Sequence, residues 1–247
     1  MMINKEVYLL SERWRVLSGS WLKMIAMVVM AIDHVAAYIL RYNPDFTVAL
    51  FTMGNKQISW YFLMRSIGRL AFPLFAFLLV EGFLHTHDRM KYGRNLLVFA
   101  LLSEIPYDLV RRDSLFAAGQ NVFFTLFLGF LALWAVRTWE EGKYSPTRLT
   151  IMLFSLIGVG ILLRSDYGGY GVSFILLLYV MRRNRILQAA IGCCFLGTRW
   201  IAGLAFIPIN LYNGQRGFIQ GPIGKYFFYI FYPLHLLTIY FVRRMII

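Results

Sequence analysis

The sequence predicts an all-α fold, a polytopic bundle of transmembrane helices, and three observations carry that prediction. Of 247 residues, 59% are hydrophobic and only 15% are charged, against roughly 25% charged in soluble domains. Mean hydropathy is +0.61. Apolar runs long enough to cross a ~30 Å hydrocarbon layer recur along the chain. The net charge of +13, from 25 Lys and Arg against 12 Asp and Glu, falls in short clusters between those runs. That pattern fits positively charged loops facing anionic lipid and argues against a nucleic-acid surface.

Residues 1–21 are expected to form a cytoplasmic amphipathic interfacial segment. Val7, Leu10, Trp14 and Leu17 recur at helical spacing, with Glu6, Glu12, Arg13 and Arg15 on the other side. Its position before a long apolar run also predicts that this run is retained and is not a cleaved signal. Residues 22–247 are expected to form a single transmembrane domain of about eight spans, near 22–42, 60–84, 93–110, 121–139, 147–164, 167–181, 186–207 and 226–243. Gly158, Gly160, Gly168, Gly169 and Gly171 loosen the fifth-to-sixth junction, and Pro208 follows the seventh span. The N-terminus, the second, fourth and sixth loops and the Arg243-Arg244 tail hold most of the Lys and Arg, which predicts that both termini are cytoplasmic.

Polar residues inside the spans are the functional signal, because a charged side chain at bilayer depth costs at least ~2.5 kcal/mol. The first span carries Asp33-His34 after the apolar run from Met24 to Ile32. Lys23 and His34 are eleven residues apart, almost three helical turns, so they share a face about 16.5 Å apart, while Asp33 points about 100° away. Arg65 and Arg69 share a face of the second span and need anionic partners. In the third, Glu104 and Asp108 share a face across Pro106 and are the expected counter-charges. The last span places His235 beside Pro233.

Other features carry blander readings. His85 and His87 do not converge as an i, i+2 pair at a helix end, so solvated loop residues are expected there and no metal. Gly168-Gly169-Tyr170-Gly171 lacks the strand-to-helix context of a phosphate loop. Cys193 and Cys194, adjacent in an apolar run, read as packing residues.

Four separated blocks together resemble the TraX family: Leu22-Lys23-Met24-Ile25-Ala26 through Ile32-Asp33-His34; Arg69-Leu70-Ala71-Phe72-Pro73-Leu74-Phe75-Ala76-Phe77; Ser103-Glu104-Ile105-Pro106-Tyr107-Asp108; and Phe231-Tyr232-Pro233-Leu234-His235-Leu236. The family is named for a pilin acetylase and is similar to the wider acyltransferase-3-like superfamily of membrane acyltransferases. That superfamily has Arg or Lys, ten residues, then His on its first helix, a spacing that Lys23 and His34 match.

The resemblance implies an enzyme of the bacterial plasma (inner) membrane that moves an acetyl group from cytoplasmic acetyl-CoA to an amine or hydroxyl reached from the outer side. The acceptor would be a peptide, protein, sugar or lipid. On this reading His34 is the general base, tuned by Asp33 or Glu104. Lys23 binds the CoA phosphates. Arg69 and His235 stabilise the oxyanion or hold the pantetheine arm, Arg65 also faces the donor, and Tyr107 and Asp108 face the acceptor. The competing reading is a proton-coupled transporter or flippase using the same His, Asp, Glu and Arg residues, and a third is a non-catalytic assembly subunit.

Overall fold

The computed structural model describes residues 7–54, 56–219 and 221–246. In order, the α-helices are α1 (Gly19–Tyr38), α2 (Pro44–Thr47), α3 (Trp60–Gly68), α4 (Ala71–His85), α5 (Arg89–Arg112), α6 (Val122–Glu140), α7 (Pro146–Leu162), α8 (Gly168–Val180), α9 (Arg185–Leu196), α10 (Phe206–Asn210) and α11 (Gly221–Ile246). A 3-10 segment, Gly197–Ala205, joins α9 to α10. Between α2 and α3 two short strands, β1 (Phe51–Met53) and β2 (Lys56–Ile58), form an antiparallel hairpin that the sequence reading did not anticipate. Among the described residues, three helical stretches are long and apolar enough to cross a membrane: Gly19–Tyr42, Trp60–His85 and Val122–Glu140.

The chain divides into two compact units. Of the described residues, unit 1 holds 7–9, 76–105 and 116–195. Its centre is α6 packed on α7 and α8, with Leu128, Ala132 and Val172 buried among Leu153, Leu156, Ile157 and Leu176. Small residues set these contacts. A Cβ at Gly160 would come within 3.1 Å of the Gly168 backbone, so the glycines expected to loosen this junction bring two helices into close approach instead. Gly168 itself has φ 51°, a left-handed conformation that glycine adopts without strain.

One end of unit 1 collects charge. Arg89, Arg137 and Lys143 pair with Glu141, and Arg137 and Arg182 with Glu140, at 2.8–3.6 Å. The second, fourth and sixth loops thus gather at one end, the grouping their charge predicts. A buried pair lies within the unit. Arg185 reaches Glu81 at 3.0 Å, and its guanidinium also meets Gln188 and the Phe77 ring.

Unit 2 holds residues 10–75, 106–115 and 196–247. Here α1 packs on α3 and α11. Gly68 makes the first contact possible, because a Cβ there would overlap the Asp33 side chain. The α1–α11 pair runs parallel: Ile219 N–H donates to Ser20 Oγ, the Lys23 ammonium lies 5.1 Å from the Phe228 ring centre, and His34 meets His235. Position rises along both helices together.

Several expectations change. Among the described residues, 7–18 form no surface helix. Val7 bridges Asn184, Glu12–Trp14 is a single 3-10 turn, and Leu17 bridges Tyr212; backbone pairing to other segments outweighs the local apolar periodicity. Lys5 and Glu6 lie outside the described residues. The second expected span breaks at Arg69-Leu70 into α3 and α4. The sixth and the start of the seventh are short, 13 and 12 residues, or about 20 and 18 Å of helix against a ~30 Å slab. Arg243 and Arg244, counted as tail charges, are used otherwise. Arg243 donates to the carbonyls of Val110 and Leu109, and Arg244 pairs with Asp113, at the C-terminal end of α5. The last carbonyls of a helix carry partial negative charge and attract cations; Leu109 O also accepts from Asp113 N–H.

Two stability predictions follow from this packing. Gly68→Ala should destabilise the detergent-purified protein by about 1–3 kcal/mol, the usual cost of overpacking. Gly158→Ala, where a Cβ meets nothing, should be neutral or stabilising by up to ~1 kcal/mol; equal melting of the two variants would refute the α1–α3 contact. Glu81→Gln should cost about 3–5 kcal/mol by stranding Arg185, and Glu81→Leu with Arg185→Met should recover most of it. Melting curves of the single and double variants decide this, and additive losses would show that the pair is not coupled.

Candidate functional site

The site is built in unit 2 from the facing sides of α1, α3 and α11. His34 is partly buried and His235 buried. Their rings stack at 5.0 Å with a 10° interplanar angle, and His34 Nδ1 lies 2.7 Å from His235 Nε2. The edge of Tyr232 and the ring of Tyr38 flank His34.

Hydrogen-bond bookkeeping assigns the protons. His235 Nδ1 faces the Phe231 carbonyl at 2.8 Å. A carbonyl only accepts, so Nδ1 carries the hydrogen and, in the neutral ring, Nε2 holds the lone pair. His34 Nδ1–H therefore donates to His235 Nε2. That leaves the lone pair of His34 on Nε2, which has no hydrogen-bond partner among the described residues. The helical i, i+4 carbonyl of Phe231 thus fixes a tautomer on α11, and α11 fixes one on α1.

Asp33, one residue earlier on α1, points to α3 and pairs with Arg65. Its neighbour Gly68 admits the carboxylate, as described above. The counter-charge of Arg65 is therefore Asp33 rather than Glu104 or Asp108. Arg69 follows α3 at its break from α4 and is exposed. Lys23 lies about three turns below His34 on the face toward α11, and no carboxylate pairs with it among the described residues.

Tyr107 and Asp108 are buried in the unit 2 part of α5, with Arg111 over the Tyr107 ring. Glu104 belongs to unit 1. There the Asn121 side chain donates to it and to the Ala100 carbonyl, while Asn121 Oδ1 caps α6 by accepting from Phe123 N–H. His85 bonds the Glu81 carbonyl. Cys193 and Cys194 are exposed free thiols.

Structure thus brings His34, His235, Asp33 and Arg65 together, with Lys23 on the same helix face. Sequence reading missed Gly68, Asn121 and Tyr232. Asn121 had a readable signal, an N-cap residue directly before an apolar run. Gly68 was legible only as a small residue between two arginines.

The model of the family described as "TraX protein" matches residues 18–243. Among similar proteins, the probable fimbrial assembly protein FimC, serogroup H1, of Dichelobacter nodosus is 32% identical over 250 aligned residues, which cover 89% of this chain and 93% of that protein. No solved structure matches the chain. Every residue of the unit 2 site lies inside the family match, which runs nearly from end to end. The chain belongs to the TraX family.

Proposed function

We propose that this protein is a membrane acetyltransferase that moves an acetyl group from acetyl-CoA to an amine or hydroxyl, with His34 Nε2 as the general base. One observation carries the reading: the bond from His34 Nδ1 to His235 Nε2 leaves the other His34 nitrogen as an acceptor, on the helix face that also carries Lys23. Spacing adds support. The pantetheine arm runs about thirteen bonds from phosphorus to sulfur, roughly 15 Å when extended at three bonds per residue-length. That is close to the ~16.5 Å between Lys23 and His34.

Acetyl-CoA supplies an activated thioester. His34 Nε2 takes the proton of the acceptor as its oxygen or nitrogen bonds to the acetyl carbon. When the C–S bond breaks, His34 returns that proton to the departing thiolate. His235 accepts from His34 throughout, so it positions the ring and steadies the imidazolium, a different part from the oxyanion or pantetheine role expected at first. Arg65, held by Asp33, and Arg69 lend positive charge near the reacting centre, and Tyr107 and Asp108 contact the acceptor. Residues 22–247 act as one catalytic domain in a bacterial plasma membrane. The fimbrial name of the relative supports an acceptor in pilus assembly, such as the N-terminal amine of a pilin, ahead of a cell-surface sugar.

Transfer of labelled acetyl from acetyl-CoA in proteoliposomes tests the reading. His34→Ala should lose 10²–10⁴-fold in turnover, the usual share of a general base, at unchanged yield of folded protein. His235→Ala should lose about 10–100-fold, as an orienting partner does. Near-normal turnover by His34→Ala would sink the proposal, and proton-driven substrate movement without acetyl-CoA would favour a transporter.

Parallel α1 and α11 further support an odd number of crossings, because an even number, eight included, makes first and last helices antiparallel. With the N-terminus cytoplasmic, the C-terminus emerges outside. In a background with Ala at positions 193 and 194, a membrane-impermeant maleimide should label a cysteine added after Ile247 and spare one added before Met1. Protection of both would restore a common cytoplasmic face.

A further inference from the structure

The loop ahead of α11 folds over the first turn of α1 in unit 2. The Arg216 carbonyl accepts from Ser20 N–H at 2.9 Å and from Ser20 Oγ at 2.8 Å, and Gln215 O accepts from Gly19 N–H at 2.8 Å. Gly217 allows the turn. Its φ is 88°, and a Cβ there would overlap the hydroxyls of Ser18 and Ser20. These bonds use backbone carbonyls, so they fix where Arg216 sits without engaging its side chain, and the residue is exposed.

Ser20 and Lys23 are three residues apart on one helix face, so Lys23 stands one turn above the docked Arg216. The two cations lie within electrostatic reach of each other. Neither pairs with a carboxylate among the described residues, whereas Glu140 and Glu141 at the charged end of unit 1 each have basic partners. Two like charges held together, one of them half-buried, repel, and an anion between them relieves the repulsion. Exposed Trp21 and Phe218, packed edge to face at 5.5 Å, mark this level as the membrane–water interface.

We infer that Lys23 and Arg216 form a clamp for a phosphoryl group, with Arg216 as a phosphoryl-binding residue that the sequence does not single out. The identity of the donor rests on the acetyltransferase reading; the clamp itself rests on the two cations. A phosphoryl group reaches this level from two sources, the phosphates of CoA or the headgroup of an anionic lipid. In either case the guanidinium offers paired N–H donors and the ammonium a point charge.

The experiment compares wild type, Arg216→Gln, Arg216→Lys and Lys23→Gln in nanodiscs. Acetyl-CoA and acetyl-pantetheine, which lacks phosphoryl groups, are titrated by calorimetry in phosphatidylcholine. Melting is then compared between phosphatidylcholine and phosphatidylglycerol. If the clamp holds the donor, Arg216→Gln and Lys23→Gln each weaken acetyl-CoA binding by about tenfold or more, the scale of a lost charge-assisted bond, leave acetyl-pantetheine binding unchanged, and Arg216→Lys recovers part of the loss. If it holds a headgroup, the same variants abolish extra stability in phosphatidylglycerol and leave acetyl-CoA binding unchanged. Folded variants that match wild type in both arms overturn the clamp, even where wild type transfers acetyl. Wild type that transfers no acetyl while Arg216→Gln loses the lipid effect overturns the enzyme reading and keeps the clamp.

Discussion

Polar groups at bilayer depth have no water to turn to, and each must be satisfied by another part of the chain. Most of the tertiary pairings described here answer that constraint. Asp33 finds Arg65, His34 finds His235, Arg185 finds Glu81, Asn121 finds Ala100 and Glu104, and Thr125 finds Ser165. Apolar helix faces in lipid have little preference for one another over acyl chains, so these few polar bonds set which helices meet and in what register. Glycines finish the work: Gly68 admits the Asp33 carboxylate, Gly129 admits Ile175, and Gly160 admits the backbone of α8.

The same economy shapes the site. Tautomer assignment passes from a backbone carbonyl on α11 through one imidazole to the next, so an accepting lone pair is set on His34 with no acidic residue hydrogen-bonded to either ring among the described residues. The neighbouring ion pair between Asp33 and Arg65 is kept separate by the ~100° turn between adjacent helical residues. Structural and chemical duties therefore fall to adjacent positions on α1.

Much of this was readable where the physics is local. Helical spacing placed Lys23 and His34 on one face, and composition fixed the all-helical class. The ranges expected for spans one, three to six and eight lie close to single helices, and that for span two covers α3 and α4 together. The partner of Arg65 was not readable, because charge counting names acids and leaves open which one a neighbouring helix will present. Nor was the bond between His34 and His235, which depends on the direction of α11. The N-terminal segment misled because Val7, Leu10, Trp14 and Leu17 imitate a helical stripe, while bridges to Asn184 and Tyr212 hold it extended. The hairpin between α2 and α3 was missed because three-residue strands are too short to show alternation, although Gly54 marks its turn with φ 60°.

Separation along the chain adds one consequence for biogenesis. Asp33 meets Arg65 after only 32 residues, within the first helices to emerge, whereas His34 waits for a partner 201 residues later. During synthesis the costly carboxylate is neutralised early, and the imidazole stays unoriented until the final helix inserts. A chain halted before α11 would therefore hold the Asp33–Arg65 pair while His34 lacks the bond that sets its tautomer.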